Sequence, residues 1–129
     1  MPASAAPQPI LTELKGGVAR LIFNNPARHN AMSLEMWTHG ADLLEAFGSD
    51  NKVRAILLTG AGSEAFVAGA DISKFGDERA SREAVEAYDR AVARFRQVMR
   101  DLDKPTIARI DGFCIGGGLA IAIECDIRV

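Results

Sequence analysis

Only two cysteines occur among the 129 residues, Cys114 and Cys125. They make neither a C-x-x-C pair nor a Cys/His cluster, which argues against a disulfide framework and a structural zinc site and suits a reducing, cytoplasmic setting. Histidine is as scarce: His29 and His39 are the only two, and neither is assigned a chemical role. Nor is one charge in excess. Fifteen Lys and Arg against 17 Asp and Glu leave a formal net charge of −2 and a pI near 5.7. The basic residues are scattered instead of gathered into a stripe, so no nucleic-acid footprint is expected, and an anionic ligand must be met by local groups. No apolar run approaches the ~20 residues of a membrane span. The opening stretch Met1 to Pro9 has neither a charged n-region nor a long apolar h-region; it is read as a disordered tail and not as a secretory signal.

What is present is the composition of an ordinary globular domain, 48% hydrophobic and 25% charged, with one core expected over residues 10–129. Ile10 to Lys15 and Val18 to Phe23 are apolar-rich runs on either side of Gly16-Gly17, which suits a two-residue hairpin turn. Ser33 is placed to cap a helix whose apolar residues Leu34, Trp37, Ala41, Leu44 and Phe47 recur at helical spacing, with Gly48 placed to end it. Val53 to Thr59 reads as a buried strand. Ser81 to Asp103 carries a second helical pattern through Tyr88, Phe95 and Leu102, closed by Pro105, and Thr106 to Ile110 is again a strand. The alternation argues an α/β class with at least part of the sheet parallel and functional turns at strand ends.

Two segments stand out against this background: Ala65-Phe66-Val67-Ala68-Gly69-Ala70-Asp71, and Asp111-Gly112-Phe113-Cys114-Ile115-Gly116-Gly117-Gly118. Each follows a strand-like stretch and precedes a helix-like one. A strand entering a glycine-rich turn and then a helix leaves backbone N–H groups pointing outward, because the first helical turn has no internal partners for them. Two such turns side by side would form an oxyanion hole, each donor contributing on the order of 3 kcal/mol to a transition state bearing charge on a carbonyl oxygen. Read singly, either segment is also just a tight turn. Asp71 suits the N-cap of the short helix after it.

These segments, together with Asn25-Pro26-Ala27-Arg28-His29-Asn30-Ala31-Met32 and the run Pro105 to Ile127, resemble the crotonase family in order and spacing. This is the enoyl-CoA hydratase/isomerase family. The resemblance implies a crotonase-like spiral of strand-strand-helix units and binding of an acyl-CoA thioester, whose oxygen sits between two backbone N–H groups while an enolate forms. It implies Ala70 and Gly117 as those donors. It further implies Arg28 at the CoA phosphates, which its guanidinium geometry suits, and backbone at Ala27, His29, Ala68 and Ile72 around the nucleotide. A solvated loop arginine is the alternative for Arg28. Lys74 stands one position later than the lysine often found after the aspartate. No metal and no cofactor beyond the CoA of the substrate is implied. Family members are longer and assemble as trimers and hexamers, largely through elements after this segment, so the resemblance implies further residues beyond Val129 and apolar surface exposed where they would pack.

One departure bears on the reaction. Family hydratases use two glutamates, and the first lies two residues after the last glycine of the triple-glycine turn, where this chain has Ala120. The resemblance therefore implies enolate chemistry, whether hydration, isomerisation or another reaction, without that acid. Glu124 shares the helix face of Ala120 one turn on and is expected to serve as a buried partner or cap. Two other readings stay open: a crotonase-like protein that binds without turnover, and a cysteine hydrolase using Gly112-Phe113-Cys114-Ile115-Gly116 as a nucleophile elbow. The latter lacks a histidine after the nucleophile.

Overall fold

The computed structural model describes residues 8–129. Gly16 and Gly17, at φ 60° and 80°, turn β1 (Ile10–Lys15) into β2 (Val18–Phe23) as an antiparallel pair from Ile10 opposite Phe23 to Lys15 opposite Val18. Two left-handed residues in succession match the twist of the flanking strands, which is why a glycine pair stands there. β3 (Ala55–Gly60), β5 (Thr106–Arg109) and β7 (Ile127–Arg128) add in parallel, giving the order β1-β2-β3-β5-β7. β4 (Ala65–Ala68) and β6 (Phe113–Ile115) pair in parallel as a separate two-stranded sheet. The helices are α1 (Leu34–Ser49), α2 (Phe75–Glu78), α3 (Arg82–Asp101) and α4 (Gly117–Glu124).

The chain repeats one path. A strand of the large sheet leads to a short extended segment in the second layer, and then to a helix: β3, β4, then α2 and α3; β5, β6, then α4. The first pass does the same with β2, the residues around Met32, and α1; Met32 bridges Ala70 in parallel, extending the row formed by β4 and β6. This is the crotonase-like spiral of strand-strand-helix units. Its core lies between the large sheet (Leu21, Phe23, Ile56, Leu58, Ala108), β4 (Phe66, Val67) and the inner faces of α1 and α3 (Met36, Trp37, Leu44, Phe95, Met99), all buried. Phe23 meets Phe66 edge to face at 5.7 Å between centroids, and Trp37 meets Phe95 at 5.1 Å. Arg94 of α3 reaches Asp42 and Glu45 of α1 at 2.7 and 3.0 Å.

Helix starts follow local chemistry. The Ser33 hydroxyl accepts from the Met36 N–H at 3.3 Å, and that of Ser81 from Ala84 at 3.0 Å, each satisfying one of the donors a helix leaves open. Several ends differ from expectation. α1 runs through Gly48 to Ser49; Gly48 is not a left-handed stop but a close approach, since a Cβ there would stand 3.0 Å from the Leu102 side chain. α3 stops at Asp101 and not at Asp103, because Leu102 is already extended. β3 begins at Ala55, after Val53 has bonded back to the Asp50 carbonyl in a turn, and takes in Gly60; β5 stops at Arg109. The expected tail 1–9 lies outside the described residues up to residue 7. Gln8 and Pro9 are placed by Asn24, whose side-chain amide and backbone N–H donate to their carbonyls. Phe113, Ile115, Leu119, Ile123 and Ile127 are all at least half exposed along β6, α4 and β7. Among the described residues no helix is long and apolar enough to cross a membrane.

Gly60, the last residue of β3, makes the tightest contact between the two sheets. A Cβ there would fall on the Ala65 and Phe66 carbonyls and 2.7 Å from Asn30 Nδ2. Gly60→Ala is expected to cost about 3 kcal/mol by forcing the layers apart, read as a loss of that size in chemical denaturation at unchanged far-UV dichroism.

Candidate functional site

The first block folds as a 3-10 turn over Pro26–Arg28 followed by two left-handed residues, His29 at φ 53° and Asn30 at φ 58°. Asparagine tolerates that region better than most residues because its short polar side chain can bond to nearby backbone. Here Asn30 is buried, its Oδ1 accepts the Asn25 N–H at 2.9 Å, and its Nδ2 donates to the Ala61 and Ala65 carbonyls at 3.0 and 2.9 Å. The Asn25 amide in turn donates to the Ala31 carbonyl and to Asp71 Oδ2, both at 3.0 Å. Asp71 is buried and caps the 3-10 turn Ile72–Lys74, accepting from the Ser73 N–H at 3.1 Å and from the Ser73 hydroxyl. Burial opposes its charge, but the bonds from Ser73 and Asn25, with the nearby Arg28 charge, outweigh this and hold its carboxyl below the ordinary value. Asn25, Asn30 and Asp71 thus tie the first block to β4 and the turn after it.

The two glycine-rich turns lie next to one another. Gly69, at φ 86°, follows β4; its carbonyl accepts the Met32 N–H at 2.9 Å, and the Asp71 N–H donates to the Met32 carbonyl at 2.8 Å. In such a parallel bridge the bonds come from the neighbours of the bridged residue, so the Ala70 N–H points away from Met32. Across the seam, Gly116 at φ 55° ends the β6 turn and Gly117 opens α4, where its N–H has no helical partner. Neither the Ala70 nor the Gly117 N–H donates a hydrogen bond among the described residues. A Cβ on Gly116 would stand 3.3 Å from Gly69 Cα, and one on Gly117 3.8 Å from the Gly69 carbonyl oxygen. A Cβ on Gly118 would fall on the Val67 carbonyl. Glycine is required here to let α4 start directly against the end of β4.

A cleft of about 390 Å³ opens beside this seam, lined by Ala27, Arg28, His29, Ala68, Ala70 and Ile72 with Ala31 and Asp71. Six of the seven residues singled out from the sequence therefore share one wall, and Gly117 adjoins it at the seam. Arg28 is exposed and makes no ion pair among the described residues. His29 packs edge to face on Phe113 at 5.3 Å. His39 is not brought here; it lines a different cleft on α1. Lys74 lines an adjoining cleft that shares Ala27 and Asp71. Asn25 and Asn30 have no role that the sequence motif alone assigns; Asn30 stands at the end of a turn where a residue tolerant of positive φ fits.

Ala120 lies on α4, half-buried, with its N–H donating to the Gly116 carbonyl at 3.1 Å. Glu124, one turn on, is held by two arginines of α3: Arg96 Nε and Arg100 Nη2 reach Oε1 at 3.1 and 2.8 Å, and Arg100 Nε reaches Oε2 at 3.1 Å. Burial opposes its charge, but these bonds from Arg100 and Arg96 keep its carboxyl below the ordinary value. It is a half-buried ion-pair partner of α3. Cys114 lies inside β6 opposite Val67, two residues before the turn, and burial pushes its thiol up. A nucleophile elbow instead needs an activated side chain at the turn itself. Among the described residues no cluster of His, Cys, Asp and Glu is arranged to hold a metal.

The sequence model of the enoyl-CoA hydratase/isomerase family matches residues 13–129, and the chain belongs to that family. It is 36% identical over 123 residues to the short-chain-enoyl-CoA hydratase of Clostridium acetobutylicum, covering 93% of this chain and 45% of that protein. It is 35% identical over 123 residues to the hydroxycinnamoyl-CoA hydratase-lyase of Pseudomonas fluorescens, covering 93% and 44%. Its structure superposes with a TM-score of 0.88 and 38% identity on an enoyl-CoA hydratase/carnitine racemase from Magnetospirillum magneticum, over 95% of this chain and 46% of that one. The chain thus spans under half the length of these relatives.

Asn30→Ala removes three hydrogen bonds of about 1 kcal/mol each and places alanine in the left-handed region at a further ~1 kcal/mol. A loss of about 4 kcal/mol is expected, measured by urea denaturation. Glu124→Gln is expected to cost about 1 kcal/mol at neutral pH. Because the native carboxyl lies below its unfolded value, this advantage over glutamine is complete above the unfolded value and vanishes as pH falls through the native one. Thermal unfolding of both proteins across the acid range checks it.

Proposed function

We propose that this chain is the acyl-CoA-binding core of an enoyl-CoA hydratase/isomerase-type enzyme in which the Ala70 and Gly117 N–H groups hold the thioester oxygen. The observation that carries the reading is the pair of unpartnered N–H groups at adjoining strand ends, beside a cleft with a free arginine. As a double bond conjugated to the thioester accepts an oxygen nucleophile at its β-carbon, negative charge moves through the α-carbon to the carbonyl oxygen; two fixed donors there stabilise that enolate until the α-carbon takes a proton. Arg28 meets a CoA phosphate, and backbone at Ala27, His29, Ala68 and Ile72 surrounds the nucleotide. The relatives whose names specify CoA-thioester hydratases support this substrate class.

The reading calls for no metal or redox cofactor, since the CoA of the substrate carries the activating thioester. The acid and base of the reaction are not assigned to Ala120 or Glu124: alanine has no proton to give, and Glu124 is committed to Arg96 and Arg100. Ala120 also favours a second reading, acyl-CoA binding without turnover. The buried Cys125 thiol, pushed up to about 12 chiefly by desolvation, is inert and suits a cytoplasmic setting. Assembly of the full-length protein as a trimer or hexamer is part of this proposal and rests on the resemblance alone.

Calorimetric titration of the full-length protein with acetyl-CoA and crotonyl-CoA tests this, alongside an absorbance assay for loss of the enoyl thioester. Arg28→Ala is expected to weaken binding of both ligands and to reduce its salt dependence. Gly117→Val is expected to lower turnover by about a hundredfold or more, as loss of one oxyanion donor does. Binding without turnover would establish the second reading. A folded protein that binds neither ligand overturns the first and second together.

A further inference from the structure

Two donors polarise one oxygen only if their spacing is held; pairing of β4 with β6 and the close approach of Gly116 to Gly69 bring the turns together, but Gly69, Gly116, Gly117 and Gly118 have no side chains to pack. The bracing comes from elsewhere. Trp37 of α1, almost fully buried, lies under Gly117: a Cβ on that glycine would stand 3.1 Å from the indole Cζ2. The indole N–H donates to the Tyr88 hydroxyl at 3.1 Å, and the Tyr88 O–H donates to the Met32 carbonyl at 3.4 Å. Met32 is the residue bonded on both sides of Ala70, through the Gly69 carbonyl and the Asp71 N–H. A continuous path therefore runs from the backbone of one donor to that of the other, through groups on α1, α3 and the extended segment between them. Indole to hydroxyl to carbonyl runs in one direction, so the first bond polarises the second, and the Met32 carbonyl also accepts from the Asp71 N–H. Phe95 meets Trp37 edge to face at 5.1 Å, and the Arg79 guanidinium lies 5.3 Å from the centre of the Tyr88 ring. Trp37 and Tyr88 are the sole tryptophan and tyrosine of the chain.

Resting on the oxyanion reading above, we infer that Trp37 and Tyr88 are positioning residues that set the spacing of the Ala70 and Gly117 N–H groups, and so the polarisation of a bound thioester carbonyl. Tyr88→Phe keeps the ring and deletes the hydroxyl that joins indole to Met32; Trp37→Phe removes the contact under Gly117. Neither touches the cleft that takes the nucleotide.

The test is the thioester carbonyl stretch of crotonyl-CoA, isotope-labelled at that carbon and bound to the full-length protein, by infrared difference spectroscopy. The wild type is expected to shift the band to lower frequency than free ligand. Tyr88→Phe and Trp37→Phe are expected to bind crotonyl-CoA with unchanged affinity yet lose most of that shift. Lys104→Met serves as the control for stability alone, because Lys104 donates to the Phe47 and Asp50 carbonyls far from the seam, and it is expected to keep the full shift. A wild-type band that does not move overturns the oxyanion reading and this inference with it. A shifted wild-type band that Tyr88→Phe leaves equally shifted overturns the inference alone.

Discussion

Everything at the site hangs on one buried amide. Asn30 sits in a left-handed turn with its side chain inside the protein, where an unpaired polar group would cost far more than a hydrogen bond returns in water. It is stable there because three backbone groups meet it, one from its own loop, one from the loop after β3 and one from the start of β4. The loop after β2, the loop after β3 and the start of β4 are thereby locked in one arrangement. Gly60 is bare because this amide and the two carbonyls beside it occupy the space a side chain would take.

From that anchor the geometry follows outward. With the first block in place, Asn25 reaches Asp71 and Met32 pairs on both sides of Ala70, so the end of β4 is held without using the Ala70 N–H. The third pass of the spiral sets β6 beside β4 and starts α4 within contact of Gly69. A glycine at the first helical residue has an N–H with no internal acceptor, and the neighbouring turn offers none. The donors we assign to the oxyanion are thus a by-product of the strand-strand-helix path repeated in register, sharpened by glycines that permit contact between backbones.

The charged groups divide by the same logic. Arg96 and Arg100 are consumed by Glu124, and Arg94 by Asp42 and Glu45; these pairs fasten helices to each other. Arg28, on the rim of the cleft, has no ion-pair partner among the described residues, which is why it is the one we propose for a ligand phosphate. Relatives named as a hydratase and as a hydratase-lyase each match 93% of this chain, which supports the proposal that it binds and polarises a thioester while other residues select the reaction.

The amino-acid sequence by itself determined the hairpin, the helix starts at Ser33 and Ser81 and the positions of the two glycine-rich turns, because each rests on chemistry within a few residues: a glycine pair that allows positive φ, a hydroxyl in reach of an open N–H, an apolar stripe at helical spacing. Even there, close tertiary contact overruled the local expectation at Gly48, where the glycine makes room for Leu102 and ends nothing. Only the tertiary structure decided which N–H groups stay unpartnered, that Arg28 and Ala70 border one cleft, and that Trp37 meets Tyr88 across 51 residues of chain. Those facts depend on which distant groups arrive as partners, and no local pattern records that.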